Sequence, residues 1–148
     1  MSFLSSMNIS ASAMTAQRLR LDIASQNIAN IDTTRTEAGG PYRRKMVVLE
    51  ARNETGFRKA FINAAGINRQ QRGGGVRVSQ IAEDTSPFKS VYKPEHPDAD
   101  ENGYVQMPNV DLIKETVDSM SATRSYEANI TAFNAIKMMA GKALEIGK

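Results

Sequence analysis

Residues 109–148 read NVDLIKETVDSMSATRSYEANITAFNAIKMMAGKALEIGK, and this stretch decides the fold. It contains no proline, and its first glycine, Gly141, comes near its end. Apolar residues recur mostly at spacings of three or four, as they do along one face of a helix. The pattern predicts a helix of about 35 residues, near 50 Å long at ~1.5 Å per residue. Ordinary globular helices have about 8–20 residues, so this one needs a partner helix.

The partner helix is predicted at the other end of the chain. Four apolar residues lie seven positions apart, and a small, polar or apolar residue follows each of them by three positions. This is a coiled-coil seam mixed with small and polar side chains. The seam consists of Met7, Met14, Leu21 and Ile28, followed by Ser10, Gln17, Ala24 and Ile31, and a weaker line passes through Ile9, Ala13, Ala16 and Ile23.

A helix with two shallow stripes can contact two neighbours. The pattern is therefore compatible with a two-helix hairpin inside a small globular protein, and also with a terminal coiled coil that packs laterally into an assembly. We expect the helix-packing positions to be Met14, Leu21, Ile28, Ile113, Val117, Met120, Tyr126, Ile130 and Phe133.

Between the two helices the hydrophobic period changes from about 3.6 to 2. Residues 42–51 are predicted as a strand after the break at Gly39-Gly40-Pro41. A second strand is predicted through Val76, Val78 and Ile81, and a short third one through Val91-Tyr92. Asn102-Gly103 is a hairpin signal before Tyr104-Val105. Residues 52–72 give a mixed pattern, which we interpret as a loop with at most one turn of helix.

The predicted fold class is therefore α+β, with long N- and C-terminal helices paired as a coiled coil and a small antiparallel β module between them. We place a helical domain at residues 1–32 and 110–148. The β-rich outer module is placed at residues 33–109, with a variable loop at 52–72.

Composition narrows the possible functions. The chain has 148 residues, a formal net charge of +3 and no cysteine. Without cysteine it can form no disulfide, zinc–thiolate site or thiol nucleophile. Its basic residues are dispersed, whereas a nucleic-acid surface normally has a basic stripe. No apolar run approaches the ~18 residues of a membrane helix, and the first charge is Arg18, so we expect no cleavable secretory signal.

Four short motifs resemble chemical sites, and each has a plainer interpretation. Residues 98–103 match the opening of a calcium loop, but Asn109 occupies the position that requires a bidentate Glu, which favours an acidic turn. The glycines at 73–75 lack the Lys-Ser/Thr of a phosphate loop and indicate a hinge. His96 is the single histidine and has no metal-binding or acid–base partner in the sequence. The basic triplet 43–45 favours edge protection or a partner contact over nucleic-acid binding. We predict no enzyme, metal site or cofactor.

Both ends of the chain resemble bacterial flagellar rod and hook proteins. Residues 12–30, SAMTAQRLRLDIASQNIAN, are similar to the N-terminal motif of that family, and residues 122–129, ATRSYEAN, to its closing motif. Three internal segments, at 40–45, 86–100 and 103–111, look like the short proximal rod members of the family. The motif residues that this resemblance singles out are Asn27, Asn30, Arg124, Tyr126, Glu127 and Asn129.

The resemblance implies a structural subunit that stacks helically into the rod of the flagellar basal body. It implies export through the type III apparatus without a cleaved signal, and a location in the rod that spans the periplasm. The implied partners are further copies of the chain, other proximal and distal rod proteins, the adapter between rod and inner-membrane ring, and the ring itself. Nucleic acid and small-molecule substrates are not expected.

A soluble basic binding module is the alternative, with a nucleic acid or a regulatory protein as its partner. It would use Arg43, Arg44, Arg69, Arg72 and Arg77.

Overall fold

The computed structural model describes residues 3–52, 61, 64 and 74–146. Their elements, in chain order, are α1 (Phe3–Ala29), β1 (Lys45–Ala51), β2 (Val76–Glu83), β3 (Lys89–Tyr92), β4 (Tyr104–Met107) and α2 (Leu112–Ile146). The α+β prediction is confirmed, and α2 has 35 residues, as its sequence pattern indicates. Most of the predicted loop at 52–72 lies outside the described residues.

The start of α2 is fixed by an acidic cap. The carboxylate of Asp111 accepts the backbone N–H of Ile113 at 3.0 Å, and the Asp111 carbonyl accepts the N–H of Glu115 at 3.0 Å. A capping carboxylate satisfies a donor that has no partner within the helix and complements the positive helix end. Asp111 therefore directly precedes the helix, which begins at Leu112.

The contacts divide the chain into two compact units. Unit 1 comprises Met1–Gln17, Leu49–Ser79 and Arg124–Lys148, and unit 2 comprises Arg18–Val48 and Gln80–Thr123.

Within unit 2, α1 and α2 pack as an antiparallel pair. The side chains of Arg20 and Asp118 form an ion pair, and Asn27 donates to Glu115 at 2.9 Å. The second contact lies seven residues later in α1 and three residues earlier in α2, as opposite chain directions require. Ala122 on α2 is fully buried, so the helix pairing predicted from the sequence is present.

The buried side of α1 is formed mainly by small and polar residues. The heptad residues Met14, Leu21 and Ile28 are only partly buried. The buried positions come from both predicted lines and add an asparagine; they are Ser10, Ala16, Ile23, Ala24 and Asn27. Small side chains on this side of α1 allow another backbone to come close to the helix. The larger heptad residues lie beside this contact.

The described strands form two two-stranded sheets, β1 with β2 and β3 with β4. The β3–β4 pair is antiparallel, with Lys89 opposite Met107 and Tyr92 opposite Tyr104. Residues 93–103 connect the two strands, so the Asn-Gly signal correctly indicates a hairpin but belongs to a longer loop. Gly103 there has φ 79°, and its N–H donates to the Asp100 carbonyl at 2.9 Å.

Two details of the predicted strands are corrected by the structure. β1 begins at Lys45, because the N–H of Tyr42 donates to the Thr33 carbonyl and the N–H of Arg44 to the Asn109 side chain. Ile81 does not continue the alternation of Val76 and Val78. It is exposed, because an odd spacing places it on the opposite face of β2.

In unit 1 the start of β2 lies directly against α1. The Ser12 hydroxyl donates to the Ile9 carbonyl at 2.7 Å and accepts the N–H of Val76 at 3.1 Å. Gly75 has φ 96°, and a Cβ at this residue would lie 2.2 Å from the Ser12 hydroxyl oxygen and 3.4 Å from the Ile9 Cα. A side chain at position 75 would therefore displace the hydroxyl that joins helix and strand.

Gly75→Ala is predicted to lower the free energy of unfolding by about 2–4 kcal/mol, since it combines left-handed strain with the loss of hydrogen bonds. Gly39→Ala is the matched control, because Gly39 also has a positive φ (76°) but nothing within 4 Å of its added Cβ. It is expected to cost only the conformational term, about 1–2 kcal/mol. Urea denaturation, monitored by circular dichroism, measures the free energy of unfolding of both variants. Equal losses would contradict the close contact between Gly75 and Ser12.

Candidate functional site

A buried polar network in unit 2 joins α1 to α2, and Asn27 lies at its centre with 1% of its surface exposed. Its amide nitrogen donates to the Lys45 carbonyl and to a Glu115 carboxylate oxygen, both at 2.9 Å. Its amide oxygen accepts the Tyr42 hydroxyl and the Lys45 N–H, also at 2.9 Å. Both amide donors and both acceptor positions are thus used, so the side chain is held in one orientation.

Glu115 supplies the charge of this network, and it is 1% exposed. Its second carboxylate oxygen accepts the Arg44 Nε at 2.6 Å. A buried carboxylate is tolerated only when it is paired and hydrogen-bonded, and here both oxygens have a partner. The charge-assisted bond links α2 to the residue that directly precedes β1.

Arg44 has two further neighbours besides Glu115, namely Asn109 and Asp84. Its backbone N–H donates to the Asn109 side-chain oxygen at 2.8 Å, and its guanidinium lies 3.8 Å from an Asp84 carboxylate oxygen. The Asn109 amide donates in turn to the Asp84 carbonyl at 3.1 Å and to the Ser86 carbonyl at 3.3 Å. The Asn109 amide and the charges of Arg44 and Asp84 therefore connect three segments, which lie before β1, after β2 and before α2.

Two ionisable groups of unit 2 have shifted pKa values. Hydrogen bonds from the hydroxyl and N–H of Ser86, helped by the charges of Arg44 and Lys114, hold the pKa of the Asp84 carboxyl below its ordinary value, although partial burial opposes this. Burial raises the pKa of the Tyr42 hydroxyl, and the negative charges of Glu115 and Glu83 raise it further. The lowered pKa favours the ionised Asp84 carboxylate, which accepts the Ser86 hydrogen bonds. The raised pKa favours the neutral Tyr42 hydroxyl, which donates to Asn27.

The geometry of this network suits a structural task. Its donors and acceptors are directed at one another, and among the described residues no buried side-chain nitrogen or oxygen lacks a partner. The described part of the chain also has no group of three or more His, Asp or Glu side chains that could hold a metal ion. None of its helices is long and apolar enough to cross a membrane.

The motifs that resembled chemical sites are engaged in local structure. The Asp100 carboxylate accepts the N–H groups of Asn102 and Tyr104 at 3.0 and 2.8 Å, which shapes the hairpin loop. Asp98 accepts the Thr34 hydroxyl at 2.7 Å, and its own N–H donates to His96 Nδ1 at 3.2 Å. The acidic-turn interpretation of residues 98–103 agrees with these contacts.

The basic triplet has a different role from the one expected. Arg44 belongs to the buried network, and Arg43 lies over the Phe88 ring with its guanidinium carbon 4.4 Å from the ring centroid. The Lys45 ammonium lies 5.7 Å from the centroid of the Tyr42 ring. The triplet is thus used mainly within the subunit. Edge protection is not its main role, because only Lys45 belongs to a strand.

The predicted helix-packing residues fall into two groups. Ile113, Val117 and Met120 are exposed by 75%, 61% and 52%, so this stripe does not form the contact with α1 in unit 2. That contact uses Glu115 and Asp118 instead, and Ala122 on the same face of α2 is buried. The other predicted residues are half-buried or, for Ile130, exposed; they are Met14, Leu21, Ile28, Tyr126, Ile130 and Phe133.

Of the motif residues, Asn27 lies in the network, and Asn30 ends α1 by donating to the Gln26 carbonyl at 2.8 Å. In unit 1 the Asn129 amide donates to the Ser125 carbonyl of its own helix at 2.7 Å. Arg124 and Glu127 are exposed, and Tyr126 is half-buried. The structure therefore brings Asn27 together with residues outside the motif, whereas Arg124 and Glu127 of the C-terminal motif remain exposed.

Sequence reasoning missed Glu115 as a direct partner of Asn27, and it missed Arg44 and Asn109 as members of the surrounding network. The sequence pattern alone places Glu115 only near the start of the long helix, where acidic residues are common. A weak signal was available, since Ala122 follows Glu115 by seven residues and marks a face where another backbone approaches closely. The apolar stripe on the opposite face of α2 is the stronger pattern, so the sequence pattern does not indicate that this face is buried.

Two family descriptions match the ends of the chain. Residues 7–35 match "Flagella basal body rod protein", and residues 101–146 match "Flagellar basal body rod FlgEFG protein C-terminal". The chain is 55% identical to the flagellar basal-body rod protein FlgC of Bacillus subtilis over 97% of both chains. It is 46% identical to FlgC of Borreliella burgdorferi, over 99% of this chain and 98% of that one. With FlgC of Salmonella typhimurium the identity is 42% over the full length of both.

Glu115→Ala is predicted to lower the free energy of unfolding by about 3–5 kcal/mol. It leaves one Asn27 amide donor without an acceptor and the Arg44 guanidinium with only the more distant Asp84 carboxylate. Glu50→Ala is the control. Glu50 pairs with Arg77 at 3.1 Å, but both side chains are largely exposed, so a loss of about 0–1 kcal/mol is expected. Chemical denaturation measures the free energy of unfolding of both variants. Similar losses of this free energy would contradict a buried ion pair at Glu115.

The lowered pKa of Asp84 predicts an acid-sensitive contribution to stability. That contribution is complete above the ordinary carboxyl pKa and is lost as the pH falls through the lower folded value. Ser86→Ala removes the hydroxyl hydrogen bond, which is the largest cause of the shift. The free energy of unfolding of this variant should therefore depend less steeply on pH as the pH falls below the ordinary carboxyl pKa. Ser90→Ala, at an exposed position of β3, is the control and should follow the unmodified chain. Equal pH slopes for all three proteins would argue against the Ser86 bond.

Proposed function

This chain belongs to the FlgC family of flagellar basal-body rod proteins, and we propose that it is a structural subunit of the proximal rod. In this proposal copies of the chain stack helically and form part of the torque-transmitting drive shaft and of the wall of the export channel. The proposal is supported by the full-length similarity to rod proteins and by an apolar surface that a single subunit leaves uncovered.

The exposed stripe of α2 is the observation that carries the proposal. Ile113, Val117 and Met120 follow one another at helical spacing and stay largely in water, although the opposite face of the same turns is buried. Contiguous exposed apolar surface of this kind marks an interaction site. Covering it with a neighbouring helix would gain about 25 cal/mol for each Å² of apolar surface removed from water.

Unit 1 also exposes large apolar residues on its helices. Further large apolar residues are exposed near the start of α1 and in the last turns of α2: Phe3, Leu4, Ile9, Met138, Met139, Leu144 and Ile146. A polar helix surface would have sufficed for a subunit that acts alone. We infer that residues 1–32 and 110–148 form the helical core of the rod, that residues 33–109 form the outer module, and that the nine predicted packing residues contact neighbouring subunits.

The proposed partners follow from the same family. They are further copies of the chain, other proximal and distal rod proteins, and the inner-membrane ring with its adapter. The proposed route is type III export without a cleaved signal, and the proposed location is the part of the rod that spans the periplasm. No catalytic role is proposed, since the buried ionisable groups of unit 2 are engaged with one another.

The alternative basic binding module is not supported. Arg43 stacks on Phe88, Arg44 pairs with Glu115, and Arg77 pairs with Glu50. Arg69 and Arg72 lie outside the described residues. The relatives named above are rod proteins, so the similarity gives this alternative no independent support.

Val117→Asp is predicted to abolish rod assembly and swimming in a flagellated bacterium that lacks its own FlgC, because an interface would have to bury an unpaired carboxylate. Val117→Ile keeps the stripe apolar and is the matched control, which should retain swimming. Since Val117 is 61% exposed, neither change should unfold the single subunit. Circular dichroism of the purified chains checks this.

The readout is the yield of basal bodies with complete rods, seen by electron microscopy, together with motility in soft agar. Normal rods containing folded Val117→Asp subunits would contradict the proposed interface. Complete rods and swimming with the Val117→Ile variant, together with loss of both with the Val117→Asp variant, would support the proposed interface.

A further inference from the structure

We propose that Asn27, Arg44 and Glu115 determine the axial register of α2 against α1, and that their hydrogen bonds select one register among several that the apolar contacts would accept. This inference rests on the proposed function for its biological consequence. The register itself is a property of the single subunit and can be measured without any assembly.

The large apolar residues of the α1 seam recur after a shift of seven residues. Such a shift replaces Leu21 by Met14 or by Ile28, and all three are partly buried. At the buried position of Ile23, the shift in one direction brings Ala16, which is also apolar. The facing part of α2 offers Ala122, a small residue that fits against many neighbours. Hydrophobic contact is not directional, so it discriminates poorly between such registers.

Hydrogen bonds discriminate well between registers of α2 against α1. A shift of one heptad moves a helix by about 10 Å, at ~1.5 Å per residue, which is beyond the reach of any side-chain hydrogen bond. Glu115 would then lose both Asn27 and Arg44, and those two groups would lose their acceptor in a buried place. A single buried polar residue that fixes register is the best-attested use of such groups in coiled coils.

The network also connects the helix register to the β strands. Asn27 binds both the N–H and the carbonyl of Lys45, the first residue of β1. Asn109, three residues before α2, holds the backbone of the adjacent Arg44. One set of bonds thus fixes the position of α1, of α2 and of the start of β1 within unit 2.

Register matters to a subunit that presents an apolar stripe. Ile113 and Val117 lie on the same helical turns as Glu115, so an α2 displaced along α1 would carry them out of line with the surface of the next subunit. We therefore expect loss of the network to impair assembly more than it impairs the folding of the chain.

The test uses cysteine pairs, because the chain has no cysteine of its own. Arg20→Cys with Asp118→Cys reports the observed register, in which these two residues touch. Arg20→Cys with Ser125→Cys reports a register shifted by seven residues. Each pair is treated with a short bis-maleimide in dilute purified protein, and the linked fraction is measured by gel shift.

The pairs are compared in three backgrounds: the intact network, the apolar variant Asn27→Leu/Arg44→Met/Glu115→Leu, and the control variant Glu50→Leu/Arg77→Met. The control removes an exposed Arg–Glu pair of the same chemical type. With the network intact, the 20–118 link should exceed the 20–125 link by about tenfold or more, the ratio that corresponds to a difference of about 1.4 kcal/mol between two states.

The apolar variant should bring the two linked fractions to within about threefold of each other while keeping a cooperative thermal transition. The control variant should keep the full preference. An unchanged preference in the folded apolar variant would overturn the proposal. If that variant does not fold, Glu115→Gln, which keeps the shape and removes the charge, replaces it and should still lower the preference; no decrease would overturn the proposal equally.

The biological consequence is measured in the bacterium lacking its own FlgC, with the same variants carrying no cysteines. Lost motility in the apolar variant but not in the control supports the role of register in assembly. Full motility despite a lost register would overturn that role and leave the proposed rod function standing. Failure of the rod function itself would appear in the Val117→Asp experiment, with the register result unaffected.

Discussion

The pairing of the Glu115 carboxylate with Arg44 and Asn27 is the constraint on which the rest of unit 2 depends. A carboxylate with 1% exposure is stable only if its neighbours neutralise it and satisfy its oxygens. Meeting that requirement places α1, α2 and the start of β1 at fixed positions. Asn109 and Asp84 extend the constraint to the segments before α2 and after β2. The small residues Ala24 and Ala122 fit this arrangement, because they let the helix backbones come close enough for the polar groups to meet.

This constraint separates two faces of α2. One face carries Glu115, Asp118 and Ala122 and is used within the subunit. The other carries Ile113, Val117 and Met120 and remains in water. Because polar and small residues form the contact between the helices, these large apolar residues stay uncovered, as the proposed interface requires. A rod subunit needs such a division, since residues used for its own core are not free to contact a neighbour.

Much of the fold was predictable because its signals are periodic or local. The length of α2 follows from an uninterrupted helical pattern, and the helix pairing follows from that length. The hairpin follows from Asn102-Gly103, since glycine readily adopts the positive φ found at Gly103. The family likewise follows from the motifs at 12–30 and 122–129. The strand start at Lys45 and the exposure of Ile81 were not predicted, because distant partners and the pleat of the sheet decide them.

The sequence by itself determined the helices, the α+β class and the family, since periodicity, glycine chemistry and motifs act over neighbouring residues. Only the tertiary structure decided which face of each helix is buried in the subunit. Asn27 and Glu115 are 88 positions apart, and nothing local distinguishes a glutamate that will be buried from one that will stay in water. An apolar stripe indicates that a surface will be covered, but the sequence does not say whether the covering helix belongs to the same chain. That choice depends on where the polar groups find their partners in three dimensions.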